Sequence, residues 1–361
     1  MGVEAMKTNK EKKNLLKGDM ATYGMVILAY VLVEAALKTG HMSSLMEGLL
    51  VPLCIYSILA VSLNLVVGIS GELSLGHAGF MCVGAFSGAL FSKIMKGSID
   101  PTVSLIIAIF IGAAVAAVFG ILIGIPVLRL RGDYLAIVTL AFGEIIKNII
   151  NAIYLGVDAA GVHFSMKSEV ALKLDAEGTV LIKGAQGITG TPQAASFTIG
   201  IILLLITLAI VINLIHSRTG RAIMAIRDNR IAAESVGLNV TKYKLLAFTV
   251  SAALAGVAGV LYAHNLTTLA ALPKNFGYNQ SIMILVFVVL GGIGNVRGSV
   301  IAAVILTLLP ELLRGLNNYR MLIYAIVLIA IMLFNSSPKA IAFRERAAAA
   351  LRKKTAKKEA A

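Results

Sequence analysis

Two clusters in this chain put reactive or charged side chains inside otherwise apolar sequence. The first is SGELSLGHAGF, which gathers Glu72, Ser74 and His77, with Asn64 a short way upstream in SLNLVVG. The second is Glu144 with Lys147, followed by Asn148 and Asn151 at spacings of three and four that place all four on one helical face. A carboxylate, a hydroxyl and an imidazole set in apolar surroundings can carry a proton, bind an ion or gate a polar path, because such groups are costly in lipid and call for a function. Each cluster also has a structural reading. His77 and Glu72 could hold a broken helix in place, and Glu144 with Lys147 could be an i,i+3 ion pair that satisfies itself.

Other chemistries find no support. The five histidines, 41, 77, 163, 216 and 264, lack metal-ligand spacing. GIGNVRG at 292–298 reads GxGxxxG and follows an apolar run, so it is not the dinucleotide fingerprint of a βαβ unit. The dipeptide Gly-Lys occurs nowhere, which removes the phosphate-binding GxxxxGK[ST] loop. The chain is therefore expected to be no enzyme and to carry no metal and no cofactor. Cys54 and Cys82, the two cysteines, fall in apolar runs and read as small core residues.

What must position the clusters is a set of membrane helices. The chain is 58% hydrophobic and 14% charged, with mean hydropathy +0.89. Runs of about 18 to 20 apolar residues, enough to cross about 30 Å of hydrocarbon, recur along it. They predict an all-α fold, a polytopic transmembrane bundle of about ten spans: 21–37, 49–68, the glycine-rich stretch after it, 101–124, 134–153, 197–215, 244–263, 281–294, 299–313 and 321–334. Small residues at four-residue spacing in IGAAVAAVFG let helices approach closely. Glycine-rich breaks near Gly71 and Gly292 interrupt two segments, and such irregular backbone is tolerated only against protein or a watery cavity. The two breaks hint at two inverted halves of five spans each.

Residues 1–20 read as a flexible basic leader, 21–335 as the membrane domain and 336–361 as a basic tail. A signal peptide competes for the first apolar run, but no small-residue cleavage site follows it. Residues 154–195 form the one sizeable hydrophilic interval, expected as an outer loop with turns or a short hairpin. The net charge is +14. With ten spans and both termini cytoplasmic, most of the 32 Lys and Arg, including Arg129, Arg131 and Arg297, fall on the inner side. That distribution indicates topology setting and contact with lipid headgroups, and no nucleic-acid partner.

The basic connector 217–243 joins two spans on the cytoplasmic side. Asp228 or Asn229 can cap a short helix over RIAAES, and Gly237 can end it. A short helix held between two membrane helices suits a groove on a partner.

SLNLVVGISGELSLGHAGFMCVGAF, LRGDYLAIVTLAFGEII, RTGRAIMAIRDNRIAAESVGLNVTKYKLLAFTVSAALAGVAGVLYA and VLGGIGNVRGSVIAA, in this order, resemble the signatures of the branched-chain amino acid permease subunits of ABC importers. The resemblance covers about residues 50–335. It implies a subunit of the prokaryotic inner membrane that hydrolyses nothing itself. The implied partners are a second, homologous permease, two cytoplasmic ATPase subunits and an extracytoplasmic binding protein that delivers leucine, isoleucine or valine. It makes residues 218–237 the coupling segment, with Arg218, Arg221, Arg227, Asp228, Ala233, Glu234 and Gly237 on its motif positions, and turns the outer loop toward the binding protein. Related permeases carry urea or short amides. The rival from another class is an ion-coupled secondary transporter that uses Glu72, His77 or Glu144 as its ion site.

Overall fold

The computed structural model describes residues 2–40, 42–128, 134–158, 161–175 and 178–336. Arg129, Arg131 and Glu177, and the basic residues expected in the tail from Lys339 on, lie outside the described residues. The helices are α1 (Gly2–Lys38), α2 (Ser44–Asn64), α3 (His77–Ile94), α4 (Pro101–Val127), α5 (Tyr134–Ala152), α6 (Phe197–His216), α7 (Arg218–Asp228), α8 (Arg230–Ser235), α9 (Val240–Asn265), α10 (Pro273–Phe276), α11 (Tyr278–Gly291), α12 (Val296–Leu312) and α13 (Arg320–Ser336). Strands are β1 (Tyr154–Asp158), β2 (Gly161–Ser165), β3 (Thr179–Lys183), β4 (Ile188–Thr189) and β5 (Thr268–Leu269). The chain divides into two compact units, 1–304 and 305–361.

Among the described residues, seven helices are long and apolar enough to cross a membrane, beginning at Met20, Ser44, Pro101, Tyr134, Phe197, Val240 and Val296. The ten expected spans are thus reached only in part. The other three fall on α3, α11 and α13. Helix α11 has 14 residues and α13 has 17, fewer than the about 20 of a typical span, and α3 dilutes its apolar character with Gly, Ser and His.

The first unit is organised by small residues. Ala108, Gly112, Ala116, Gly120 and Gly124 recur every four positions on α4, and all are buried. They face α9, where a Cβ built on Gly256 would lie 2.6 Å from the Ala116 Cβ and 2.6 Å from the Gly112 carbonyl oxygen. Gly84 of α3 meets the Gly256 backbone from the other side. Three helices therefore touch backbone to backbone, the close approach that drives association where lipid offers no hydrophobic gain. Around this crossing lie Phe80, Met81, Phe248, Leu254 and Leu261, all buried.

A hydrogen-bonded chain pins the far ends of the same three helices. The His264 ring Nδ1 lies 2.9 Å from the Val260 carbonyl, to which only an N–H can bond, so Nε2 accepts from Ser92 Oγ at 2.8 Å. Ser104 Oγ in turn donates to Ser92 at 3.1 Å. All three residues are buried. Replacing His264 with leucine strands Ser92 and should cost about 1–3 kcal/mol. Thermal melts of the purified chain in detergent would read this as a lower midpoint, and an unchanged midpoint would refute it.

The hydrophilic interval departs from an all-α fold. Strand β1 pairs antiparallel with both β2 and β3, giving the order β2-β1-β3, and β4 pairs with β5 from beyond α9. Val, Ile, Phe and Tyr, with exposure that alternates along β2, favour strands here over the expected turns or single hairpin. Lys93 of α3 ties this sheet down by donating to the Val180 and Leu181 carbonyls at 2.8 and 2.9 Å.

The expected flexible leader is also different. Helix α1 runs unbroken from Gly2, because the Lys, Glu, Leu and Met that fill the leader are strong helix formers. In the second unit, the end of α12 leads through a 3-10 segment, Leu313–Tyr319, into α13, and Glu311 pairs with Arg314 at 2.9 Å.

Candidate functional site

The site is built where helices stop being regular. Helix α2 widens after Asn64 into a π-helical turn, Leu65–Ser70, and Gly71 turns the chain out at φ +74°. Only glycine enters that left-handed region without strain. An irregular segment then leads to α3, whose start is held by side chains of three other helices. Ala78 N donates to Ser281 Oγ of α11 at 3.0 Å, Leu75 N to Thr139 Oγ1 of α5 at 3.0 Å, and the His77 ring bonds Ser62 of α2 at 2.7 Å. The second break lies between α11 and α12, where Gly292 and Gly294 take φ of +95° and +82°.

The two breaks meet. Asn64 Oδ1 accepts from Gly294 N at 2.8 Å, and its Nδ2 donates to Ser299 Oγ at 3.0 Å. Asn64 is fully buried, so one amide side chain stitches the end of α2 to the start of α12. Gly68 packs on Gly294 so closely that any side chain there would strike Asn64 Oδ1 and the Gly294 backbone.

The basic connector closes on the same spot. Helix α7 is capped by Ser217, which accepts from Gly220 N at 3.0 Å, and buries Gly220, Ile223 and Ile226. At its end Arg227 reaches back: Nη1 donates to the Gly68 carbonyl at 2.8 Å, while Nε and Nη2 bind Asp228 Oδ1 at 3.0 and 2.9 Å. A π turn leaves carbonyls without their usual partner, and a guanidinium donates where the backbone cannot. A Cβ on Gly71 would lie 2.6 Å from Arg227 Cγ, so the arginine stem lies across the turn. Beside it, Lys244 at the start of α9 pairs with Glu72.

Helix α8 follows as a single exposed piece. Asn229 Oδ1 caps it by accepting from Ala232 N at 3.0 Å, Arg230 pairs with Glu234 at 2.9 Å, and Gly237 ends it at φ +84°. Ala233 alone is buried, against Ile226 and Val240. Ile231 and Val236 point outward, 80% and 76% exposed.

The sequence-derived candidates thus fall into three places. Arg218, Arg221, Asp228, Glu234 and Gly237 are exposed on the α7–α8 element, and Ala233 anchors it. Arg227, Glu72 and Asn64 converge on the first break, with Ser74 buried beside it and its hydroxyl unpartnered among the described residues. His77 is also buried there, bound to Ser62 rather than to Glu72. Glu144 stands apart on α5, where it pairs with Lys147 and accepts from Tyr278 N at 2.7 Å. Ser62, Lys244, Gly294 and Ser299 complete these contacts and were not legible as site residues. Lys244, a cation at the start of an apolar run, and Gly294, inside the second glycine-rich break, carried a signal. Among the described residues no group of His, Cys, Asp or Glu could hold a metal ion.

Residues 45–332 match the family described as branched-chain amino acid transport system / permease component. Over 289 residues the chain is 35% identical to the high-affinity branched-chain amino acid transport system permease protein LivM of Salmonella typhimurium, and equally to LivM of Escherichia coli. Those alignments take in 78% of this chain and 66% of each relative, so the chain spans just under two thirds of their length. LivH of Salmonella typhimurium is 28% identical over 262 residues, 70% of this chain and 79% of that protein. No solved structure matches.

Proposed function

The chain belongs to the branched-chain amino acid transport system permease family, and from that premise we propose that it is a membrane-spanning subunit of an ATP-driven importer of leucine, isoleucine and valine. It carries no chemistry of its own. Two cytoplasmic ATPase subunits drive it, a second homologous permease completes the path, and an extracytoplasmic binding protein delivers the substrate. The substrate reading draws on the relatives, LivM and LivH, both described as permeases of high-affinity branched-chain amino acid transport.

In this reading the membrane is the prokaryotic inner membrane and both termini are cytoplasmic. Helices α3, α11 and α13 join the seven long apolar helices to make ten crossings. The contact of the two breaks supports this arrangement, because α2 and α11 then both descend to the inner face, where Asn64 and Gly294 meet. The sheet β1–β3 then lies outside, toward the binding protein.

The single observation that carries the coupling role is the two-sided build of 217–243. Outwardly α8 offers Ile231 and Val236, an apolar pair exposed on an otherwise polar turn and suited to a groove on an ATPase. Inwardly Arg227 grips the carbonyl of Gly68, the residue that packs on Gly294 at the seam between the breaks. A push on α8 is therefore delivered to the seam. Coupling of this kind requires that the contacts differ between inward- and outward-facing states.

The test is reconstitution of the complete importer in proteoliposomes. Glu234→Lys places a second cation beside Arg230, and Gly237→Val forces a branched residue to φ +84°. Each is expected to cut leucine uptake and substrate-stimulated ATP hydrolysis at least about tenfold, a loss of about 1.4 kcal/mol in coupling. Wild-type levels of both in either variant would sink the coupling assignment. The ion-coupled alternative is not favoured, since its carboxylates Glu72 and Glu144 are each held by a lysine.

A further inference from the structure

Resting on the reading of this chain as a branched-chain amino acid permease, we propose that Glu144, Lys147 and Asn151 form a station for the amino acid's zwitterionic head on the substrate path. The α-ammonium would bind Glu144 and Asn151 Oδ1, and the α-carboxylate would bind Lys147.

The pair is deep. Helix α5, one of the helices long and apolar enough to cross a membrane, spans Tyr134–Ala152, and Glu144 lies next to its midpoint. Among the described ion pairs of the first unit no other lies so deep: Glu34–Lys38 is at a helix end, and Glu72–Lys244 is at the first break. A charge at that depth faces protein or a water-filled cavity, not lipid.

The surface around the pair is open. Lys147 is almost enclosed, its side chain 7% exposed, but Glu144 keeps 26% of its side chain accessible. Asn148 is exposed beside it. A polar patch open to the outside of this chain and level with the membrane interior must be covered by something other than lipid, and a path shared with a second permease meets that need. Ile145 and Ile149, exposed at 56% and 41%, border the patch and offer apolar surface to a branched side chain.

One neighbour has bonding capacity to spare. Asn151, one helical turn beyond Lys147, donates through Nδ2 to the Ala271 carbonyl at 2.9 Å. Its Oδ1 is buried with no partner among the described residues. A buried carbonyl oxygen left open costs stability unless a donor visits it, and an ammonium is such a donor.

Chemistry selects the ligand. Opening a Glu–Lys pair in a low-dielectric site strands two charges, which is prohibitive unless each finds a replacement. An amino acid zwitterion supplies one charge of each sign at a separation a single carbon sets, so both partners are exchanged at once and no net charge is left. A neutral amide or a sugar cannot make that exchange.

The competing account is that Glu144 only caps α11 through Tyr278 N. The double variant Glu144→Gln/Lys147→Met separates the two. The glutamine that replaces Glu144 keeps a carbonyl oxygen to accept from Tyr278 N, and replacing both members of a buried pair with neutral groups of similar volume is commonly tolerated by a fold. In proteoliposomes holding the complete importer, the double variant is expected to assemble in wild-type yield but to take up leucine at least about tenfold more slowly, while the single variant Lys147→Arg retains most of the uptake. Wild-type uptake by the double variant, or loss of assembly, would overturn the station. Wild-type importer that moves no branched-chain amino acid would instead refute the permease reading itself, so the two failures are distinct.

Discussion

Gly256→Leu is expected to abolish the folded protein. The Cβ alone would lie 2.6 Å from the Ala116 Cβ and the Gly112 carbonyl, and Gly84 presses on the same backbone from α3. None of these neighbours can yield by rotating a side chain, because two are backbone and the third is an alanine. Overpacking a site that cannot relax costs about 1–3 kcal/mol or more, and here it separates three helices that depend on close approach. The same crossing seats Phe80 against Phe248 with ring centroids 5.4 Å apart, so spreading the helices also loosens the aromatic core. Gly48→Leu is the control: nothing lies within 4 Å of a Cβ there. Size-exclusion profiles of the detergent-extracted variants should show a monodisperse peak for Gly48→Leu and none for Gly256→Leu. A normal peak for Gly256→Leu would mean that the α3–α4–α9 crossing does not set stability.

How far the fold was legible depended on whether its cause was local. Helix α8 could be read to the residue, because Asn229 and Gly237 punctuate it and capping acts over three or four positions. The long apolar helices were legible from composition. Helices α3 and α11 were harder, since a helix wrapped by protein needs neither full length nor full apolarity. The pairing of β4 with β5 joins Ile188 to Leu269, and nothing in either dipeptide announces a partner that far along the chain.

The site shows the same divide. Glu72, Ser74 and His77 stood out because polar groups in apolar sequence are conspicuous, yet their partners could not be inferred. Glu72 and His77 are neighbours in sequence, but one bonds Lys244 and the other Ser62. Asn64 was visible as a polar residue in an apolar run; that its two bonds both go to the second break was not. Arg227 reads from sequence as one of the motif positions of the coupling segment, with nothing to say where its side chain goes. Its inward turn toward Gly68 follows from a π turn whose free carbonyl no periodicity reveals.

Arg227→Ala is therefore the substitution with the largest expected effect on transport without loss of the fold. Its guanidinium is the one link from the α7–α8 element to the Gly68 carbonyl among the described hydrogen bonds, and Gly68 lies against Gly294 across the seam. A hydrogen bond from a charged donor to a carbonyl contributes about 1.5–3 kcal/mol. If that bond is made in one state of the transport cycle and lost in the other, its removal shifts the balance between states by about 10- to 150-fold. Alanine also removes the stem that lies across Gly71, so the π turn loses its cover as well as its donor. The expected phenotype is a chain present in the membrane at normal level whose importer hydrolyses ATP but moves leucine at least about tenfold more slowly, with hydrolysis no longer stimulated by loaded binding protein. Arg227→Lys should recover part of the uptake, because an ammonium can reach one acceptor but cannot hold Gly68 and Asp228 together. Asn64→Leu provides the second reading of the same seam: it strands Gly294 N and leaves Ser299 Oγ only its bond to the Asn295 carbonyl, so it should uncouple transport in the same way and lower the melting midpoint too. Stimulated hydrolysis and wild-type uptake in Arg227→Ala would show that force reaches the membrane helices by another route, with Lys244 and Glu72 the next contact to test.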